Sequence, residues 1–222
     1  MSVLMVLVAL AAQSAPAQTS GAVSPAMAAA VANKARAKAA PSFINEPDYV
    51  RPEAARLAGE FGEVIVSGVV GEDGRLREPK IEVSSRSTAV DAAALASVPS
   101  MLFKPARDVE GKPLAIPAKL SLEYGHVDFR GPRGVAQYRC DQFVRDYDWW
   151  YRTWPSGQQD RIFKTLRGYV VLAEMQSGKM SQVNFDSEWK AAIEACRSSP
   201  DKLMLDLLKP HGKFIRGMVH RR

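Results

Sequence analysis

Residues 114–124, with the sequence LAIPAKLSLEY, alternate in character at every second position. One set is apolar, and the intervening set includes Lys119, Ser121 and Glu123. Successive side chains of a β-strand point to opposite faces, so a period of two predicts a strand with one buried and one solvated face. A slip of one residue would expose the whole apolar set, which means that the pairing register of this strand is strongly specified.

Two further runs of strand character lie upstream, at residues 62–70 and 75–85. Asp73 and Gly74 separate them, and an Asp-Gly pair is typical of a tight turn between antiparallel strands. Pro79 has no N–H to donate to a neighbouring strand, so we expect a free or bulged side there. Helix-forming stretches flank the three strands. The chain is therefore predicted to be α+β, with a small antiparallel three-stranded sheet and covering helices, followed by an α-helical domain.

The N-terminus has the pattern of a cleaved secretion signal. Residues 3–12 are apolar, and Ala15-Pro16-Ala17 fits the small-x-small rule of signal peptidase. About 20 apolar residues are needed to span a bilayer, so the apolar run at residues 3–12 is too short for a membrane-spanning helix. The usual Lys or Arg before the apolar run is missing. We predict a signal peptide over residues 1–17, cleaved near Ala17, and therefore export, with an inner-membrane anchor as the alternative; the periplasm as the location is what the family resemblance described below implies. Residues 18–45 are predicted to be a flexible linker or a frayed helix.

Cys140 and Cys196 are the only cysteines of the chain. In an exported protein an oxidising compartment favours a disulfide between them, with two buried free thiols as the alternative. His126, His211 and His220 do not have the spacing of metal ligands, so neither a metal site nor a cofactor is predicted.

Residues 135–222 are predicted to form a helical domain clamped by this disulfide. Helical spacing covers residues 138–151, 158–176 and 186–197, and Ser199 with Pro200 has the pattern of an N-cap and first turn of a fourth helix. The cysteines lie on the first and third of these helices. A group of aromatic residues either packs the core of this domain or lines a ligand groove: Tyr147, Trp149, Trp150, Tyr151 and Trp154.

Positive charge is concentrated in the second half of the chain. Residues 130–222 contain 17 Lys and Arg against 10 Asp and Glu, whereas residues 1–129 contain 13 against 14. The last stretch, residues 209–222, is a basic tail with five positive charges and no acid. Its apolar residues have the spacing of an amphipathic helix, which suits weak contact with an anionic membrane or docking on the protein itself. The alternative is a solvated basic terminus, and no nucleic acid is predicted as a partner.

Residues 46–129 contain several short motifs, each occurring once, in a particular order. They are Pro52, Ala55, Gly62, Val64, Val66, Asp73-Gly74, the sequence LFKPA at residues 102–106, and Gly111-Lys112-Pro113 before the final strand. This order resembles the TonB C-terminal domain family. The resemblance implies a periplasmic binding module without catalytic residues, whose members recognise the TonB box, a short extended segment of outer-membrane receptors, by adding it as a strand to a sheet edge.

The same resemblance implies which residues form the site. The final strand is the family's peptide-accepting edge, so Lys119, Ser121 and Glu123 would lie nearest an added strand. Arg56 stands four residues after Pro52, where family members place a polar side chain that touches the box. An edge with charges and Pro117 is also what protects a protein against aggregation. A further alternative is that the edge pairs with a second copy, which would make the protein a homodimer or an envelope scaffold.

The chain departs from a full energy transducer of this family. Such proteins have a membrane anchor and a Pro-rich spacer, and their C-terminal domain is the last part of the chain. Because the sequence offers a short leader, no such spacer and about 98 residues after Tyr124, we do not expect it to transduce energy itself. It also lacks a Ser-His-acid arrangement and a phosphate-binding loop, so an enzyme is not predicted. The prediction is an exported, non-catalytic protein that binds an envelope or outer-membrane receptor partner.

Overall fold

A computed structural model of the chain describes residues 23–45, 49–125, 134–154, 160–177 and 185–220. The signal peptide predicted for residues 1–17, the start of the predicted linker and the last two arginines of the basic tail lie outside the described residues. No helix among those described is long and apolar enough to cross a membrane.

The centre of the first half is a three-stranded antiparallel sheet. Strands β2 (Gly62–Val70), β3 (Leu76–Val83) and β7 (Ile116–Tyr124) lie in the order β3-β2-β7, so the predicted sheet is confirmed. The turn between β2 and β3 contains Gly74, whose φ of 75° favours glycine. A Cβ at Gly74 would also lie 2.0 Å from the carbonyl oxygen of Phe103, so glycine is required on both counts.

The β3 edge is irregular at the predicted proline. Ser67 pairs with Lys80, but the next aligned pair is Val69 with Arg77, so β3 carries one extra residue across this step. Glu78, beside Pro79, has a φ of 51°. This is a bulge, as the missing N–H of Pro79 predicts.

Helices α2 (Glu53–Ala58) and α3 (Thr88–Ser97) belong to the core on one face of the sheet. The Ser87 hydroxyl accepts the N–H of Val90 and so caps α3 at its start. A short 3-10 turn, Val98–Ser100, follows this helix. Each fully buried aliphatic side chain contributes roughly 1.5–3 kcal/mol. The aliphatic side chains of this core include Val64, Val66, Val90, Leu120 and Leu122.

The segment predicted to be a flexible linker is ordered over residues 23–45. It contains helix α1 (Pro25–Lys34) and strand β1 (Ser42–Asn45), which pairs with β4 (Leu102–Lys104). Two local causes set the start of α1: the Ser24 hydroxyl accepts the N–H of Met27, and Pro25 occupies the first turn. Ala30 of this helix is fully buried, so packing completes what the cap begins. Strands β5 (Ala106–Arg107) and β6 (Pro113–Leu114) form a short separate pair.

The second half is helical, as predicted. It contains a 3-10 turn at Val135–Gln137 and helices α4 (Cys140–Thr153), α5 (Arg161–Ser177), α6 (Phe185–Arg197), α7 (Met204–Leu207) and α8 (Gly212–His220). The disulfide predicted between Cys140 and Cys196 is present and joins the start of α4 to the end of α6. The core of this helical region is rich in aromatic rings. Phe143 and Phe163 each meet Trp189 edge to face.

The predicted fourth helix starts four residues later than expected, at Met204 instead of Pro200. Ser199 is not an N-cap: its carbonyl accepts the N–H of Lys202 in a turn, and α7 begins only at Met204. Leu203 forms a β-bridge with Arg139, which holds the chain extended before α7. A pairing between residues so distant in sequence overrides the local N-cap signal.

The apolar side of α8 packs against the protein itself. Ile215 is fully buried, and Phe214 and Val219 pack against the helical core. The predicted arrangements for the basic tail were membrane contact, docking on the protein itself and a solvated terminus, and the packing of α8 corresponds to docking.

The two halves meet at a buried ion pair. Arg51 Nη2 donates to Asp146 Oδ1 at 2.9 Å, and Nη1 donates to Asp146 Oδ2 at 3.0 Å. The Tyr138 hydroxyl donates to the same Oδ2 at 2.6 Å. Burial raises the pKa of Asp146 above its ordinary value, and the bonds from Arg51 and Tyr138 oppose this rise. Arg51 precedes α2, whereas Asp146 lies on α4, so this network ties the sheet domain to the helical region.

Close packing surrounds this ion pair. A Cβ at Gly59 would lie 2.8 Å from the backbone oxygen of Arg145 on α4, so glycine allows α2 to approach that helix. Phe61 stacks on Trp150, with ring centroids 5.1 Å apart, and the Arg86 guanidinium lies 4.2 Å from the ring centroid of Trp154. The aromatic residues of α4 therefore serve packing, both within the helical core and against the sheet domain.

The burial of Asp160 predicts that the stability of the protein depends on pH. Asp160 is buried just before α5, where its Oδ1 accepts the N–H of Phe163 at 2.8 Å. Burial raises the pKa of Asp160 to about 6, because it disfavours the carboxylate more than this bond favours it. The folded chain therefore binds the proton more tightly than the unfolded chain, whose pKa is near 3.8. The resulting stabilisation is complete below pH of about 4 and is lost as the pH rises through about 6.

We expect the free energy of unfolding of wild type, minus that of Asp160→Asn, to increase as the pH falls from 7 to 4. Urea unfolding at several pH values measures this difference. Asp201→Asn is the matched control, because the side chain of Asp201 is 93% exposed, and its difference from wild type should stay flat. A flat profile for Asp160→Asn as well would contradict the prediction.

Candidate partner-binding strand edge

Strand β7 is a long and regular edge of the sheet. It pairs with β2 at nine consecutive positions, from Gly62 opposite Tyr124 to Val70 opposite Ile116, with no shift of register. In the part of the chain that the structure describes, no strand pairs with its other side. The opposite edge, β3, is interrupted by its bulge at Glu78 and Pro79. Of the two edges of this sheet, only β7 presents an uninterrupted strand.

Three of the predicted site residues lie together on one face of β7. Lys119, Ser121 and Glu123 alternate along the strand with the buried residues Leu120 and Leu122. They therefore point to the face of the sheet opposite α3. The structure brings these three side chains together, as the sequence pattern predicted.

Each of the three has a partner in the folded chain. Lys119 forms an ion pair with Glu82 of β3, and the Ser121 hydroxyl donates to Glu63 of β2. Glu123 forms an ion pair with Arg161, the first residue of α5. These exposed contacts are individually weak, about 0–1 kcal/mol for an ion pair, so an incoming ligand can exchange them at little cost.

Arg56 is placed apart from this group. It lies on α2, where its guanidinium bonds to Glu53 one turn earlier, and its carbonyl accepts a bond from Arg51. The bond to Glu53 is the main reason that the pKa of Arg56 is raised. The described contacts of Arg56 therefore lead to its own helix and to the ion pair between the two halves, and not to β7.

Helix α1 covers part of the face on which Lys119 lies. The Asn33 side-chain amide donates to the carbonyl of Ala115 just before β7, at 3.1 Å, and the Ser24 hydroxyl donates to Glu78 of β3 at 2.5 Å. The helix thus runs from β3 to β7 across the sheet. Ser67 and Val69 are buried on this face of β2, which fits their position beneath α1.

Sequence reasoning left this segment as a flexible linker or a frayed helix and did not foresee that the helix packs across the sheet. Its local signal was present, since a serine followed by proline and an Ala-rich run is a helix start. Its docking on the sheet rests on Ala30 and Asn33, which carry no such signal. The end of β7 that holds Ser121 and Glu123 stays exposed on this face.

The described residues contain no group of three or more His, Cys, Asp or Glu side chains placed to hold a metal ion. The long regular edge of β7 is the candidate site, because its chemistry is that of backbone hydrogen bonding with polar side chains beside it.

Comparison with known proteins bears on the sheet domain. Residues 45–125 match the family model described as Gram-negative bacterial TonB protein C-terminal. No curated protein matches the chain. The match begins within β1 and ends just after β7, so it includes the whole sheet and leaves α1 and the helical region outside. Over residues 45–125, about a third of its length, the chain is therefore similar to the TonB C-terminal family.

Proposed function

We propose that this protein is a non-catalytic periplasmic binding protein that captures an extended segment of an envelope partner, such as an outer-membrane receptor. The segment adds to the sheet as a strand beside β7. The observation that carries the proposal is the regular edge of β7, which has nine paired residues on one side and no strand on the other among the described residues.

The position of Pro117 indicates which backbone groups meet the added strand. Pro117 lies opposite Val69 and has no N–H to donate to β2. Prolines of edge strands occupy positions whose N–H would face solvent, and these positions alternate along an antiparallel strand. We therefore expect the N–H and C=O groups of Lys119, Ser121 and Glu123 to face the added strand. Their side chains would add selectivity, and Arg56 on α2 is a separate candidate contact.

The family of residues 45–125 supports the location and the class of partner. A TonB C-terminal domain is described for Gram-negative bacteria, and the leader at residues 1–17 has the pattern of a periplasmic secretion signal. A role beside TonB-dependent transport follows if the captured segment is a TonB box. Coupling to energy is not part of the proposal.

The test is an NMR titration of the ¹⁵N-labelled protein with a synthetic peptide that carries a TonB box. We expect amide shifts concentrated in β7, from Ile116 to Tyr124, rather than in β3. Ser121→Pro removes one edge-facing N–H and should weaken binding about tenfold, because the peptide carbonyl loses its partner. Ser121→Ala keeps that N–H and is the matched control. The amides of β2 report whether the proline variant has kept its sheet.

Two results would count against strand addition. One is an unshifted β7 at saturating peptide, and the other is equal binding by the proline and alanine variants of Ser121. Sedimentation of the free protein tests the alternative partner, a second copy of the chain. A concentration-dependent dimer that Ser121→Pro abolishes, together with no peptide binding, would assign the edge to self-association instead. Arg56→Ala shows whether α2 contributes a second contact.

A further inference from the structure

Helix α5 carries apolar side chains on its exposed side as well as on its buried side. Ile162, Phe163, Leu166 and Val170 are buried in the helical core. On the opposite side, Val171 is 48% exposed, Leu172 45% and Met175 65%. We call the exposed set, together with Lys164 and Arg167, the outer face of α5. These five residues follow a helical spacing, so they form one continuous surface.

Charge and apolar character are separated along this face. Lys164 and Arg167 are exposed in its first half, and the three apolar residues occupy its second half. The only acidic residue of α5 is Glu174, which is half-buried and engaged in an interaction of its own. The outer face of α5 is therefore basic at one end, apolar at the other, and without an exposed acid.

We propose that the outer face of α5 binds the surface of an anionic bilayer. A helix that lies on a membrane places its apolar residues among the upper acyl chains and its Lys and Arg side chains among the phosphates. Each basic residue near an anionic surface contributes about a fivefold gain in affinity. The outer face of α5 supplies both parts, and the surplus of seven positive charges over residues 130–222 adds long-range attraction.

Charge argues against a second copy of the chain as the occupant. An antiparallel pair of α5 helices would set the basic end of one against the apolar end of the other. This arrangement is unfavourable because it would bury charged side chains without partners. A parallel pair would place Lys164 and Arg167 beside the same residues of the partner, which is repulsive. A stable protein interface also requires some 20–30 residues a side, with aromatic anchors at its centre. The outer face of α5 offers three aliphatic or thioether side chains and no aromatic ring.

Helix α8 is the competing membrane element, since it belongs to the basic tail. Its Ile215 is fully buried, and Phe214 and Val219 pack against the core. Arg216 forms an ion pair with Asp206, at 2.6 Å between Nη2 and Oδ1. Most of the apolar residues and one of the charges that a membrane would need are thus already used within the fold. In the described structure, the apolar residues of the outer face of α5 instead stay 45–65% exposed.

The test is co-sedimentation of the full-length mature protein with vesicles. We expect binding to vesicles that contain phosphatidylglycerol and little binding to phosphatidylcholine alone. Lys164→Gln/Arg167→Gln should weaken binding about 25-fold, the product of two fivefold losses. Leu172→Ser/Met175→Ser should weaken it several-fold. All four side chains are exposed or nearly half-exposed, so both variants should keep the circular dichroism spectrum and thermal midpoint of wild type.

Matched controls locate the contact. Lys213→Gln removes an exposed charge from α8, and Val109→Ser removes a 64% exposed apolar side chain from the sheet domain. Both should bind vesicles like wild type. The proposal is overturned if wild type does not bind anionic vesicles, if Lys213→Gln loses as much affinity as the α5 variants, or if Leu172→Ser/Met175→Ser abolishes a dimer and leaves vesicle binding intact. Loss of peptide binding at β7 would leave this proposal standing, because the two surfaces are tested with different ligands.

Discussion

Replacing Asp146 with alanine is expected to lower the free energy of unfolding by about 3–5 kcal/mol. The substitution leaves the Arg51 guanidinium buried opposite an empty position, and it removes the acceptor of the Tyr138 hydroxyl. A buried charge without its counter-ion keeps its full cost of desolvation. Because this network lies between the sheet domain and the helical region, we also expect the two parts to unfold less cooperatively in the variant.

Urea denaturation followed by tryptophan fluorescence measures this effect. Asp148→Ala is the matched control, since Asp148 lies two residues further along α4 and forms an ion pair with Arg197 whose side chains are 39% and 40% exposed. An exposed pair contributes about 0–1 kcal/mol, so this control should cost little. A loss of equal size in the two variants would contradict the assignment of a buried network.

A double-variant cycle separates the pair from its surroundings. Arg51→Ala and Asp146→Ala should each be strongly destabilising, whereas the double variant should lose clearly less than the sum of the two. The reason is that the second substitution removes the charge that the first one left unpaired. Additive losses would show that the two side chains act independently.

Removing the disulfide is expected to cost about 4 kcal/mol, from the loop entropy of 56 residues of sequence separation. Cys140→Ser/Cys196→Ser should therefore unfold at markedly lower urea concentration than wild type. The bond joins the start of α4 to the end of α6, two helices that pack on each other. Its loss should first loosen the helical region and leave the pairing of β2 with β7 intact.

A reducing agent provides the control for this prediction. It should destabilise wild type by about as much as the double serine substitution does, and it should not change the variant further. Amide exchange resolved by residue shows where protection is lost. Equal stability of oxidised and reduced wild type would contradict a structural role for the bond.

The local patterns of the sheet domain were readable from sequence because each has a local cause. Alternation along residues 114–124 reflects one buried face of β7, and Pro79 predicted the bulge because it has no N–H to donate. The Asp-Gly turn at Gly74 needs a positive φ, which the sequence signals directly. The polar residues of β7 were found for the same reason, since a period of two places them on one face.

Other features were beyond sequence reasoning because they depend on residues far apart in the chain. The start of α7 at Met204 follows from the bridge between Leu203 and Arg139 rather than from Ser199 and Pro200. The docking of α1 across the sheet depends on Asn33 reaching the carbonyl of Ala115, a separation of 82 residues. Arg56 was assigned to the site only because it stands four residues after Pro52. The fold places it on α2, where its guanidinium bonds to Glu53.

By itself, the sequence determined the three strands of the main sheet, their polar and apolar faces, the three long helices of the second half, and that any disulfide within the chain would join Cys140 to Cys196. These features depend on residues that are neighbours in the sequence and on covalent chemistry, and both can be read from the sequence directly. Only the tertiary structure decided that no described strand pairs with the outer side of β7, that α1 covers part of one face of the sheet, and that Arg51 and Asp146 join the two halves. Such contacts form when the apolar surfaces of distant segments are buried together, and no local pattern records which segments will meet.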